Sequence, residues 1–183
     1  MVKIKQIKIS YKSLAWASKR HEENARQVIV ELLEKADFPN RNKRMAYPTL
    51  VFGKNSLEAV NEAEIQANDA KDKVGRKYPK NGKIAIYGWI LYPLESNNIK
   101  PQDHDFQKWI TTSVNFLKQH YQNQLVSVCI MVIGHTISLR YILIPNSKDE
   151  RLEFHPTLNN GLPLNLCRKK LKYEYYSYLK NTL

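Results

Sequence analysis

Apolar residues recur along the chain in two rhythms, a period of two and a period near 3.6, and the points where one gives way to the other divide it into elements. From Met1 to Ser10 the alternation Val2, Ile4, then Ile7, Ile9 after a one-residue slip at Gln6 predicts a strand carrying a bulge. Between residues 18 and 36, Ala25, Val28, Ile29, Leu32, Leu33 and Ala36 fall at helical spacing, and Pro39-Asn40-Arg41-Asn42 breaks the pattern. A short extended piece is expected from Thr49 to Phe52. Asn55 or Ser56 then caps a polar, peripheral helix: Glu58 stands three residues after Asn55, as in a capping box, and Gly75 is the natural terminator.

The central segments carry more apolar weight. Lys83 to Pro93, KIAIYGWILYP, is apolar on both faces and reads as a buried middle strand, because a strand with one wet face would alternate. From Asp103 to Tyr121 a single helical stripe runs through Phe106, Trp109, Ile110, Ser113, Val114, Leu117 and Tyr121. Val126 to Pro145 reads as two apolar strands around Gly134-His135-Thr136. An acidic loop follows, and then a helix built on Leu164, Cys167, Leu171, Tyr175, Tyr178 and Leu179, with Arg168, Lys169, Lys170 and Lys172 on its other face. The order β-α-β-α-β-α-β-β-α predicts an α+β fold, an antiparallel sheet packed by helices, in one domain over residues 1–183.

Composition is consistent with one such domain. The chain has 183 residues, 43% hydrophobic and 25% charged, and its 6 Gly and 8 Pro form no repeat or low-complexity tract. The longest apolar runs, Ile84 to Leu94 and Val126 to Ile133, fall short of the roughly 18 residues that span a bilayer, and MVKIKQIKIS has no apolar signal core. The expectation is a soluble, cytoplasmic protein without a membrane partner. Cys129 in a strand and Cys167 in a helix, without CxxC spacing, predict packed thiols and no zinc site. No Walker loop, GxGxxG or Ser-His-Asp arrangement is present, which leaves nucleotide hydrolysis and acyl transfer without a basis.

Charge adds direction. The net charge is +12, and it is concentrated at the two ends: residues 1–48 hold 11 Lys and Arg against five acidic residues, and residues 165–183 hold five against one. Should the ends meet, they would form a basic face for a polyanion, with binding that weakens steeply in salt. The clusters expected to contact nucleic acid are Lys12, Lys19, Arg20 and Arg26 near the first helix; Arg41, Lys43 and Arg44 in the loop; Arg76, Lys77 and Lys80 after the second helix; and Arg168, Lys169 and Lys172 on the last.

Four stretches resemble the plasmid mobilisation relaxases of the Pre/Mob (MobV-like) family, a branch of the His-hydrophobe-His endonucleases. These are SKRHEENAR; PNRN followed by TLVFG; KIAIYGWILYPLES; and FLKQHY with LVSVCIMVIGHTISLRYILIP ahead of RKKLKYEYYSYLKN. The family's hairpin is similar to H-x-D-E-x-x-P-H-x-H, whose histidines and acidic residue hold a divalent metal that polarises the scissile phosphate. Counted back from Pro145, the first-strand histidine falls on Met131, the glutamate on Gly134, and the final pair on Ser138 and Arg140. The resemblance implies a relaxase-like scaffold whose metal positions have been replaced, so no metal is expected.

Ser138 and Arg140 share one face by the i, i+2 rule, and a guanidinium there can hold a phosphate bidentately without cleaving it; the alternative is a surface arginine paired with an acidic neighbour. His135 lies in the turn, out of step with that face. The resemblance also implies a nucleophile in the first helix, within an H-N-x-R-like string, and the matching RHEENAR places that role on His21, although Asn24 and Arg26 follow at a different spacing. Tyr173, Tyr175, Tyr176 and Tyr178 cluster beside cations on the last helix, an arrangement that stacks bases or, alternatively, packs the core.

Three functions remain. The first is a DNA-binding protein, for single-stranded or hairpin DNA, that serves plasmid or mobile-element processing without metal-dependent nicking. The second is a divergent relaxase that nicks and rejoins single-stranded DNA through His21 or a tyrosine, with Mg or Mn as cofactor. The third is a basic structural domain that keeps only the fold. The sequence leaves the oligomeric state open.

Overall fold

A computed structural model describes residues 7–15, 29, 45–71, 74–77, 83–93, 103–133, 136–148, 151–155, 158 and 163–182. In chain order these form β1 (Lys8–Ala15), β2 (Met45–Gly53), α1 (Ser56–Asp69), β3 (Lys83–Leu91), α2 (His104–Tyr121), a single 3-10 turn (Gln122–Gln124), β4 (Leu125–Ile133), β5 (Thr136–Leu143), β6 (Asn146–Lys148), β7 (Arg151–Glu153) and α3 (Leu164–Thr182). The five long strands make one sheet in the order β1-β3-β5-β4-β2, every neighbouring pair antiparallel, while β6 and β7 form a separate small hairpin. The fold is α+β, as the element order predicts.

Strand alternation sorts the sheet's side chains into two layers. Ile9 and Tyr11 of β1, Ile86 and Ile90 of β3, Val128 of β4, and Ile137, Leu139 and Tyr141 of β5 point to one side. There they pack on Phe106, Trp109, Ile110, Phe116, Leu117 and Tyr121 of α2 and on Cys167, Leu171, Tyr175 and Leu179 of α3. Ser113 of α2 and Tyr175 of α3 share a buried hydrogen bond of 2.6 Å that fixes the two helices against each other. On the other side, Leu14, Ile84, Ala85, Val126 and Ile142 pack beneath Ala59, Val60 and Ala63 of α1, and Ile29, helical and fully buried, belongs to the same cluster. Small residues on α1 let a mostly polar helix approach the sheet closely. Its start carries the predicted capping box, with Asn55 Oδ1 accepting from Glu58 N and Glu58 Oε2 accepting from Asn55 N, both at 3.0 Å.

Several boundaries differ from expectation. β1 runs to Ala15 instead of ending at Ser10, because pairing with β3 from Lys8↔Leu91 through Leu14↔Ala85 carries Tyr11, Lys12 and Ser13 into the ladder despite their polarity. Helix α1 stops at Asp69, where Ala70 turns extended and is buried; Gly75, at φ +81°, shapes the turn closed by a Lys71–Lys77 bridge instead of terminating the helix. The acidic loop contains the β6-β7 hairpin. Gln124 holds that hairpin to the end of α2: its side chain donates to Glu153 O and accepts from His155 N, each at 2.9 Å. Of the helix expected over residues 18–36, all but Ile29 lies outside the described residues, as do residues 1–6. No helix among the described residues is long and apolar enough to cross a membrane.

Beside Gln124, His120 stacks on Phe116 at 5.1 Å between ring centroids, lies 5.1 Å from the His155 ring, and places Nε2 3.8 Å from Glu174 Oε2. Burial pushes the His120 pKa down to about 4, with His155 and Lys170 adding to the effect, and burial also lowers His155.

Two predictions follow from this packing. A Cβ on Gly88 would fall inside the Tyr141 ring, since the two residues pair across β3 and β5. Gly88→Ala is therefore expected to cost about 1–3 kcal/mol in urea unfolding, and less in a Tyr141→Leu background, where the ring is gone. The histidine pair sets a pH dependence. Because the folded chain holds both imidazoles neutral while the unfolded chain binds protons below about pH 6.5, stability is full above that pH and declines as pH falls toward the folded values. The melting temperature should drop between pH 7 and 5, and His120→Gln should flatten the drop; an unchanged slope would refute the assignment.

Candidate nucleic-acid interface

On the face that α1 covers only in part, β-pairing sets a row of side chains across all five strands: Ser10, Trp89, Arg140, Cys129 and Leu50, each opposite the next. Arg140 is at the centre, on the third strand of five, and is half-buried. One residue pair away on the same face, Met131 opposes Ser138. The alternation predicted for Ser138 and Arg140 is realised, with Met131 beside them. Gly134 and His135 lie outside the described residues.

The guanidinium is held at two points. Arg140 Nε donates to Ser138 Oγ at 2.9 Å, and Nη1 donates to the Tyr87 hydroxyl. Ser138, itself buried, donates its hydroxyl hydrogen bond to Met131 O at 3.4 Å, which leaves its lone pairs to accept from the arginine. The guanidinium carbon also lies 5.6 Å from the Tyr87 ring centroid. Of its five N–H donors, two are used in these bonds; among the described residues no carboxylate pairs with Arg140. The predicted alternative of an acidic neighbour is not met there.

Aromatic and cationic groups frame this arginine. Tyr87 and Trp89 of β3 lie 5.4 Å apart, tilted 41°, and Lys12 of β1 places Nζ 5.5 Å from the Tyr87 centroid. In the sequence, Tyr87 and Trp89 stand out only as part of an apolar strand. Their i, i+2 spacing opposite Ile86, Gly88 and Ile90 was the available signal, since it puts both on the face of Ser138 and Arg140. Cys129, directly opposite Arg140, is buried, and burial pushes its thiol up to about 12 even though the nearby guanidinium works the other way. Cys129 and Cys167 form no disulfide.

These groups do not suit a divalent cation. A thioether, a hydroxyl already donating to a carbonyl, and a fixed positive charge offer no anionic or imidazole ligand, and the guanidinium repels a cation. Among the described residues, no group of three His, Cys, Asp or Glu side chains is placed to hold a metal ion.

The remaining basic positions separate. Arg76 and Lys77 are exposed in the turn after α1. Arg168 is tied down: Nη2 donates to Tyr11 O at 2.6 Å, and the guanidinium carbon lies 5.8 Å from the Tyr11 ring, so it pins α3 to β1. There α3 meets β1, which carries Lys8 and Lys12; the other basic residues of positions 1–48 lie outside the described residues. Lys169 and Lys172 of α3 lie on the opposite side of the sheet from Arg140. Lys19, Arg20, His21, Arg26, Arg41, Lys43, Arg44 and Lys80 are outside the described residues.

Known proteins add one likeness. No protein-family model matches the sequence, and no curated protein matches it. Among solved structures, the chain is similar to the MobM relaxase domain (MOBV; Mob_Pre) bound to 26-nucleotide pMV158 oriT DNA, over 94% of this chain and 86% of that one, with a TM-score of 0.59 and 7% identity. At that identity the likeness is one of fold: this chain has a relaxase-like α+β scaffold.

Proposed function

We propose that the protein binds DNA on a mobilisation-relaxase-like scaffold, seating a backbone phosphate at Arg140 and serving plasmid or mobile-element DNA processing without conventional metal-dependent nicking. The observation that carries this reading is a guanidinium oriented by Ser138 and Tyr87, unneutralised among the described residues, at a position where the family resemblance expects a metal ligand. Two uses of a fixed positive charge are open in principle, a structural ion pair and an anion seat, and among the described residues the first has no carboxylate. The similar fold of a relaxase domain solved with oriT DNA raises the prior for DNA as the anion.

The aromatic pair favours a strand whose bases are accessible. Trp89 is half-buried beside Arg140, so a nucleotide with its phosphate on the guanidinium can bring its base against the accessible part of the indole, and a base locked in a duplex cannot. Lys12, next to Tyr87, supplies a second cation for the neighbouring phosphate. The partner proposed is single-stranded or hairpin DNA, and the expected location is the cytoplasm.

The test is a salt-dependent titration with a labelled single strand. Arg140→Gln can keep a hydrogen bond to Ser138 but removes the charge. It should weaken binding about tenfold, roughly 1.4 kcal/mol, and reduce the slope of log K against log salt by about 0.7, the value for one phosphate. Arg140→Lys should recover the slope without the full affinity, since a point charge replaces the fork. Unchanged affinity and slope in Arg140→Gln would sink the phosphate seat. Oligonucleotide cleavage in Mg or Mn that disappears in His21→Ala would instead establish the divergent nicking enzyme.

A further inference from the structure

The outward side of α3 carries an organised pattern that the Arg140 site does not use. At about 100° per residue, Lys169, Tyr173, Tyr176 and Lys180 fall within roughly 60° of one another around the helix axis, with Lys172 on their flank, directly opposite the buried stripe of Cys167, Leu171, Tyr175 and Leu179. The two flanks have other duties. Arg168 is bonded to β1, and on the other flank Lys170 and Glu174 form an i, i+4 pair at 3.9 Å next to His120. The central stripe is therefore cation, aromatic, aromatic, cation over about 16 Å of helix.

The stripe is exposed at Lys169, Tyr173 and Lys180, while Tyr176 and Lys172 are half-buried and Tyr176 rests one side against the core. Tyr173 is 52% exposed, and among the described residues neither Tyr173 nor Tyr176 has a ring partner, whereas Tyr175 and Tyr178 both pack on Phe116. Lys169, Lys172 and Lys180 have no carboxylate within ion-pair distance among the described residues. A stripe of lysines alone would suit any polyanion. Two tyrosine rings between the lysines, one exposed and one half-buried with its outer side free of a ring partner among the described residues, at intervals of about 4.5–6 Å along the axis, match a chain that alternates phosphates with flat bases.

We infer that this α3 stripe is a second nucleic-acid contact, for a single-stranded segment of about three nucleotides, on the side of the sheet away from Arg140. Tyr173 and Tyr176 stack bases while Lys169, Lys172 and Lys180 hold the phosphates between them. The inference goes beyond the Arg140 reading and does not depend on it.

The experiment is fluorescence anisotropy with a labelled oligothymidine of about 12 nucleotides, longer than one site and without secondary structure. Tyr173→Ala/Tyr176→Ala should bind about tenfold or more weakly, and Tyr173→Phe/Tyr176→Phe should bind as the unmodified chain does, because stacking needs the ring and not the hydroxyl. Lys169→Gln/Lys172→Gln/Lys180→Gln should lower the salt slope by about two units. The same tyrosine changes placed in Arg140→Gln should produce the same fold-loss, so failure of one site leaves the other's result intact. Circular dichroism verifies folding, which surface changes should not alter. Wild-type affinity in the alanine pair overturns the inference, as does binding to phosphatidylglycerol vesicles through these tyrosines in place of the oligonucleotide.

Discussion

A guanidinium held in the middle of a five-stranded sheet constrains everything around it. Taking a charge partly out of water costs free energy unless hydrogen bonds replace the lost hydration, and among the described residues the replacement comes from two neutral hydroxyls, those of Ser138 and Tyr87. Neutral acceptors orient the group without cancelling its charge. A carboxylate would do both. That difference separates an arginine that stabilises its own domain from one that keeps its charge for something outside it, and it depends on small details: Ser138 can accept from Arg140 because its proton is already directed to Met131 O.

The rest of the architecture keeps this group in place. β5 lies between β3 and β4, so Arg140 is flanked by Trp89 on one side and Cys129 on the other, and its backbone cannot shift without disturbing two ladders. On the reverse face, Tyr141 lies against Gly88 with its hydroxyl 3.4 Å from Ser10 O, which locks β3, β5 and β1 in register through a single ring. Gly88 matters because it alone on that strand leaves room for the ring. The α2-α3 layer then seals Tyr141 from water, and burial holds the Tyr141 phenol well above its ordinary pKa. A well-packed layer on one face thus fixes a polar arrangement on the other, as expected where close packing transmits position through a sheet.

Much of this was legible in the chain, for physical reasons that also mark where legibility stopped. The α2 stripe and the β4-β5 strands were readable because each buries a strong apolar face and local periodicity reports burial directly. The middle position of β3 followed from its being apolar on both sides. The extension of β1 through Tyr11, Lys12 and Ser13 was not readable, since β3's ladder and not their own polarity holds those residues extended. The short β6-β7 hairpin depends on Gln124, which is distant in sequence. At the site, the spacing of Ser138 and Arg140 is enough to find them, while Tyr87 and Trp89 are hidden in an apolar run, because both belong to the core layer under α1 as well as bordering Arg140, and an apolar run reports only the first role. Arg168 shows the converse: a cation on an apparent basic face is consumed by the Tyr11 carbonyl.

The two surfaces proposed for DNA, Arg140 with its aromatic neighbours and the outer stripe of α3, lie on opposite sides of one sheet, and β1 contributes to both. That strand contributes Lys12 to the first side and, through Tyr11, anchors α3 on the second. A strand's alternation makes this double role available at no structural cost, since adjacent residues point to opposite faces. A polyanion following the β1 edge would meet Lys12, and then Lys172 on the flank of α3 that faces Arg168, without crossing an acidic residue of either element: β1 has none, and the single acid of α3, Glu174, is on the far flank beside His120. Of the positive charge concentrated at the two ends of the chain, the described part, Lys8 and Lys12 on β1 and the lysines of α3, is therefore divided between the two faces of the sheet along its β1 edge and does not form a single flat patch.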